Sequence, residues 1–175
     1  IRITRQKTSS KPYQTTKAKD KTMSNKPDED FTYVLRTCDA NLQSYRGFQW
    51  PEKGVIEAPD YQQTYECGHG LHGLLMGEGD GNLLDHTLDA KWLVVKVPKN
   101  DSLLFGKGEL VNKCKFPQGE VIFVGDRKGA TDKIISLGAN PSKCVGAFLT
   151  GGDRSTLAGG HGSTLTGGHG STLTA

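Results

Sequence analysis

"GGDRSTLAGGHGSTLTGGHGSTLTA" fills residues 151–175 and repeats with a period of eight, as GGDRSTLA (151–158), GGHGSTLT (159–166) and GGHGSTLT (167–174). "KCVGAFLT" (143–150) fits as a degenerate earlier copy that keeps Gly146, Leu149 and Thr150. A fixed period of this kind marks a repeat array and governs the fold. In an extended Ser-Thr-Leu-Thr run, neighbouring side chains point to opposite sides. If Leu157, Leu165 and Leu173 form an inner column, then Thr156, Thr164, Thr166, Thr172 and Thr174 face outward. The paired glycines make the corners. Strand, glycine turn, strand, glycine turn predicts the start of a β-solenoid over 150–175, with one or two octads in each coil.

Coils of such a solenoid stack ~4.8 Å apart and alternate residues along a strand lie ~6.8 Å apart, so outward threonines would form a grid of hydroxyls and methyls. A grid of that sort can order water or ice. The same letters admit a plainer reading. Threonine favours β structure anywhere, and a glycine-rich phrase in three copies also suits a flexible linker. Three octads stand at the margin of what a solenoid needs to bury its core.

Upstream, residues 30–149 read as an α+β globular domain. "FTYVLRT" (31–37), "AKWLVVKV" (90–97) and "GEVIFVGD" (119–126) are β-rich or near-continuously apolar runs bounded by Pro, Gly, Asn or Asp, and are expected to be core strands. "ATDKIISLG" (130–138) predicts a helix with Thr131 as N-cap, Ile134, Ile135 and Leu137 on the buried side and Gly138 just past its end. "GHGLHGLLMGEGDGNLLDH" (68–86) carries leucines that want burial between repeated glycines, and is expected to be an ordered loop with at most a short helix.

Residues 1–29 differ again. Segment 1–22 holds seven Lys or Arg against Asp20 alone, a charge of +6, while the rest of the chain sums to −3. A basic, Ser/Thr-rich, aromatic-poor stretch reads as disordered. A nucleic-acid-binding arm is the functional alternative, and it rests on charge alone. Met23 precedes the patterned sequence and residue 1 is Ile, so Met23 is expected to be the true start and the array to continue past Ala175. The longest apolar runs fall far short of the ~20 residues of a membrane helix, and no signal-peptide pattern appears. A cytoplasmic or cell-surface location follows. Cys38, Cys67, Cys114 and Cys144 are dispersed without C-x-x-C spacing, which suits reduced thiols better than a disulfide framework.

The sharpest chemical pattern is "ECGHGLHG", with Cys67, His69 and His72 at C-x-H-x-x-H spacing and His86 a short distance on. A thiolate and two or three imidazoles can hold zinc in a tetrahedron, with Glu66 or Glu78 as a base. Against it, no second ligand pair follows at a standard spacing, and His72 also reads as a packed, hydrogen-bonded residue. "GEGDG" (77–81) lacks the lysine of a phosphate loop, and Glu78, Asp80, Asn82 and Asp85 lack the ligand order of an EF-hand. Cys67 paired with His69 or His86 as a nucleophile needs a positioned base that sequence does not display. Arg36, Arg46 and Trp50 can line a pocket, although Phe48 and Trp50 are more often core residues.

The run "LRTCDANLQSYRGFQWPEKGVIEAPD", with "ECGHGLHGLLMGEGDGNLL", "DAKWLVVKV" and "KFPQGEVIFVGDRKGAT", resembles an uncharacterised bacterial domain that precedes long arrays of glycine- and threonine-rich octapeptides. The resemblance covers about 31–138 and implies an architecture, without catalytic residues. The octads themselves resemble the repeats of bacterial ice-nucleation proteins, with His161 and His169 where that family often has tyrosine. Together these imply a non-enzymatic structural protein in which the globular domain caps a solenoid that orders water or ice or associates with copies of itself, needing no cofactor. The alternative is a small zinc enzyme centred on Cys67, His69, His72 and His86.

Overall fold

The structure is a computed structural model and describes residues 30–175. The expectations for 1–29, Met23 included, lie outside those residues. In chain order the elements are β1 (Phe31–Cys38), β2 (Gln43–Ser44), β3 (Phe48–Gln49), β4 (Gly54–Glu57), β5 (Leu71–Leu75), β6 (Lys91–Pro98), β7 (Leu104–Phe105), β8 (Cys114–Phe116), β9 (Gln118–Gly125), α1 (Arg127–Ser136), β10 (Phe148–Thr150), β11 (Thr156–Ala158), β12 (Thr164–Thr166) and β13 (Thr172–Thr174).

Seven strands form one open antiparallel sheet in the order β4-β9-β6-β1-β5-β8-β7. β1 and β6 lie at its centre and pair over eight residues each, from Phe31 opposite Pro98 to Cys38 opposite Lys91. Both are buried on both faces, which is why their sequences are nearly continuously apolar rather than alternating. Tyr33, Leu35, Trp92 and Val94 face α1 and the segment 139–147. Val34, Cys38, Leu93, Val95 and Val97 face the opposite way, against Trp50, Leu71, Cys114 and Phe116. Between Val94 and Val95 the register with β9 shifts, Val94 pairing Phe123 and Val95 pairing Val121. Ile122 is the extra residue of this bulge, and it joins Phe123 against the helix-side core.

Two expectations need correction. The helix begins at Arg127, not near 131, because Asp126 is the N-cap and its Oδ1 accepts from the Gly129 amide at 2.7 Å. Thr131 is instead fully buried inside the helix, where its hydroxyl donates to the carbonyls of Arg127 and Lys128. The other correction concerns 68–86. Residues 71–75 are strand β5, paired with β1 on one side and β8 on the other. The glycines hide the strand pattern, and one of them explains itself by packing. A Cβ on Gly73 would meet Val34 Cγ1 at 2.4 Å and the Leu35 carbonyl oxygen at 2.8 Å. Only a residue without a side chain lets β5 approach β1 there. A single 3₁₀ turn, Gly81–Leu83, follows.

The octads pair differently. β10 lies parallel to β12, with Phe148, Leu149 and Thr150 opposite Thr164, Leu165 and Thr166, and β11 lies parallel to β13 with the same offset of sixteen residues. Each paired strand is therefore separated from its partner by two octads. The turns continue the same pairing: the Gly146 amide donates to the His161 carbonyl and the Arg154 amide to the His169 carbonyl, both at 2.9 Å, each acceptor lying one residue before the sixteen-residue equivalent of its donor. The fourth octad position is left-handed in every copy, with φ of +73° at Gly146, +56° at Arg154, +68° at Gly162 and +72° at Gly170. Glycine suits that corner, and Arg154 adopts it at a steric cost.

Candidate functional site

The octads carry two threonine-bearing surfaces. On one, Thr150, Thr164 and Thr166 project from β10 and β12; on the other, Thr156, Thr172 and Thr174 project from β11 and β13, and all six are exposed. Leu149, Leu157 and Leu165 are half-buried on the inner side, while Leu173 is 46% exposed. Alongside the leucines runs a row of serines. Ser155 and Ser171 hydroxyls lie 3.1 Å apart, both donate to the Gly152 carbonyl, and Ser163 donates to the Cys144 carbonyl. These bonds tie the serine row to the backbone of the glycine turns, at exposed positions for Gly152 and a part-buried one for Cys144. The first glycine of the three regular octads is required by packing, since a Cβ on Gly159 would sit 2.7 Å from Ser163 Cβ and 2.9 Å from Leu165 Cδ2.

The array is joined to the sheet through Arg127. Its guanidinium lies 4.4 Å over the Phe148 ring and donates to the Gly162 carbonyl and the Thr164 hydroxyl. Thr164 thus has part of its hydrogen-bonding capacity committed, unlike its neighbour Thr166. His161 packs at the same junction, edge-on to His86 at 6.2 Å, and His86 is edge-on to Trp92 at 5.6 Å. Thr150 and the serine row were not singled out by the sequence. The degenerate copy "KCVGAFLT" contained the signal for Thr150, whereas alternation alone gave no role to the serines.

The structure does not bring the four expected zinc ligands together. Cys67 is exposed and its sulfur accepts from Lys113 Nζ at 2.9 Å, so an ammonium lies against the sulfur. His69 sits in a left-handed kink and pairs through Nδ1 with Asp60 at 3.3 Å. His72 is carried by β5, and its Nε2 is buried without a partner. His86 points elsewhere, Nε2 lying 2.9 Å from the Gly81 carbonyl. Among the described residues no three His, Cys, Asp or Glu side chains converge to hold a metal. The physical reason is that loop, strand and 3₁₀ turn send these four side chains in different directions, which spacing along the sequence does not encode. Cys38, Cys114 and Cys144 are buried free thiols, and burial pushes Cys114 up to about 12 and Cys144 to about 11. They are not activated nucleophiles.

His72 gives a pH prediction. Burial, then the nearby Lys113, Lys115 and Arg36 charges, lower it from the ordinary 6.5 to about 4. Between those values the unfolded chain binds a proton that the folded chain does not, so stability is complete above about 6.5 and is lost as pH falls toward about 4. Allowing for the ring's partial exposure, the loss amounts to about 1–2 kcal/mol. Urea melts at a series of pH values on the wild type and His72→Gln should diverge across that window, the variant having the flatter profile; parallel profiles would contradict the assignment.

These features define a β-rich protein of two parts, an open antiparallel sheet with one helix and a set of parallel-paired octads. In sequence it is similar to ice nucleation proteins: 36% identical over 121 residues (69% of this chain) to one from Pseudomonas syringae pv. syringae, 38% over 97 residues (55%) to one from Pseudomonas fluorescens, and 31% over 116 residues (66%) to one from Pantoea ananas. The chain spans about a tenth of the length of these curated relatives. The matched lengths far exceed the octads at 143–175, so the similarity runs through the antiparallel sheet as well. No family model and no solved structure matches the chain. Among the described residues no helix is long and apolar enough to cross a membrane.

Proposed function

We propose that the octads are the first coils of a β-solenoid whose outward threonines order water into an ice-like layer, and that the antiparallel sheet with α1 caps the first coil. The observation that carries this reading is the in-register parallel pairing at sixteen residues, which stacks Thr156 beside Thr172 and Thr150 beside Thr166. Threonine is stiff at χ1, so rows of it hold their methyls and hydroxyls at fixed spacing, ~4.8 Å between strands and ~6.8 Å along them. Water bound to such rows is ordered before it freezes, and the ordering is supplied by the folded backbone. The name shared by the similar proteins, ice nucleation, supports the same reading.

The junction supports the capping part of this reading: Arg127 stacks on Phe148 and bonds to the Gly162 carbonyl, and Leu149 packs against the helix-side core that includes Ala147, so the first octad is held to the sheet. The test is a droplet-freezing assay on the whole chain. Replacing Thr156, Thr166, Thr172 and Thr174 together by Val keeps shape and β propensity and removes only hydroxyls. The wild type should freeze droplets above the buffer value, and the valine variant should return toward it with an unchanged circular dichroism spectrum. Wild-type droplets that freeze with buffer, or a valine variant equal to the wild type, would reject the water-ordering role.

A further inference from the structure

On the sheet face away from α1, between β1, β5 and the loops carrying Trp50 and Cys67, lies a cavity of about 730 Å³. Its volume falls in the range of small-molecule sites, ~300–1,000 Å³. The charges around it are unbalanced. Arg36, Arg46 and Lys113 line it, and the lining carboxylate Asp60 is already paired with His69. Among the described residues no carboxylate pairs with any of those three cations.

Arg36 is the unusual member. Its guanidinium lies 3.9 Å over the Trp50 ring, and Trp50 is itself buried and tied by Nε1 to the Ser44 hydroxyl. Nη1 donates to the His72 carbonyl at 3.1 Å and Nη2 makes a long contact of 3.4 Å to the Thr37 carbonyl, next to the Cys38 thiol. Nε is buried with no partner, as is Nε2 of His72 on the adjacent strand. Nη1 and Nη2 each hold a carbonyl and Nε holds nothing, so the five-donor guanidinium keeps donor capacity to spare. Holding a buried cation against two carbonyls and a neutral thiol, with no carboxylate beside it, is costly, and an anion placed against it would offset that cost. An arginine stacked on an indole with its fork open is preorganised for a planar or tetrahedral oxyanion. Lys113 supplies a second cation, while Phe48, edge-on to Trp50 at 5.7 Å, and the exposed Tyr45 provide flat apolar surface at the mouth.

We infer that this cavity binds a small organic oxyanion, a carboxylate or phosphate monoester with a flat apolar body, whose charged end sits between Arg36 and Lys113 and whose body lies against Trp50, Phe48 and Tyr45. This is separate from the threonine surfaces and does not depend on their role.

The test is isothermal titration of the whole chain with phenyl phosphate, benzoate and, as the uncharged control, phenol. Saturable binding is expected for phenyl phosphate, benzoate or both, weakened by added salt, with none for phenol; preference for one of the two anions names the head group. Lys113→Gln, at a solvent-accessible position, should leave the melting temperature unchanged and weaken binding several-fold, and Arg36→Gln should weaken it by about tenfold or more. Absence of saturation with either anion at about 10 mM, equal binding of phenol, or wild-type affinity in Lys113→Gln and Arg36→Gln would overturn the inference.

Discussion

Leu165→Asp should unfold the octads and leave the antiparallel sheet standing. Leu165 lies on β12 opposite Leu149 of β10, on the inner side where its Cδ2 is close to Gly159. A carboxylate there loses the apolar contact and faces leucines and backbone, with serine hydroxyls already committed to the Gly152 and Cys144 carbonyls. Such a charge has no partner and costs about 3 kcal/mol or more. Short three-residue strands have little to set against that loss. The neighbouring change Thr166→Val should be nearly neutral for folding, because Thr166 is exposed. Limited proteolysis is the measurement: cleavage should become rapid within 151–175 in the aspartate variant alone, with residues 30–140 still protected. Equal protease resistance of the two variants would show that Leu165 has no interior role.

Gly73→Ala should be the most damaging single-methyl addition in the sheet. The new Cβ would lie 2.4 Å from Val34 Cγ1 and 2.8 Å from the Leu35 carbonyl oxygen, and the latter is backbone of the central strand β1. Val34 and Leu35 are both fully buried, so neither can move into empty space. Overpacking of this kind costs about 3 kcal/mol, which lowers the melting temperature by about 10 °C for a unit of this size. Thermal melting checks it, and a wild-type melting temperature would mean that β5 does not approach β1 as described. By contrast Gly47, with open space around its Cβ position, is held by its φ of +72° and should tolerate Asn.

The contrast between Gly73 and the central strands explains what the sequence made legible. β1 and β6 were readable because a strand buried on both faces spells a run of apolar letters, and "AKWLVVKV" is such a run, while β9 was readable from its apolar "VIFV" between glycines although it is less buried. β5 was not, because "LHGLL" owes its glycine to a neighbour 39 residues earlier, Val34, which no local pattern reports. The helix was legible in its apolar positions but not in its start, since Asp126 looked like part of a strand-ending turn until its carboxylate met the Gly129 amide. The octad alternation was local and therefore visible. The choice between one and two octads per coil was not, because it depends on which strand pairs with which. The expected zinc ligands show the same limit in reverse: Cys67, His69 and His72 are close in sequence, yet a lysine, an aspartate and a strand face divide them. Arg36 and Trp50 were noted as pocket residues, but the stack between them is a tertiary fact.

Everything said of the threonine surfaces rests on the sixteen-residue offset, and a disulfide trap measures it. In a Cys67→Ser background, which removes the exposed thiol, Thr156→Cys with Thr172→Cys brings together two positions that are direct partners across β11 and β13. In-register parallel neighbours are separated by ~4.8 Å, within the Cα range of ~4.4–6.8 Å that a disulfide spans. Thr156→Cys with Thr164→Cys, one octad apart, joins strands that belong to different pairs. Under mild oxidation the first variant should close an intramolecular bond rapidly and keep its β signal by circular dichroism, while the second stays reduced. Closure of the second pair as fast as the first, or failure of the first to close, would contradict the two-octad coil and with it the ordered rows of threonine.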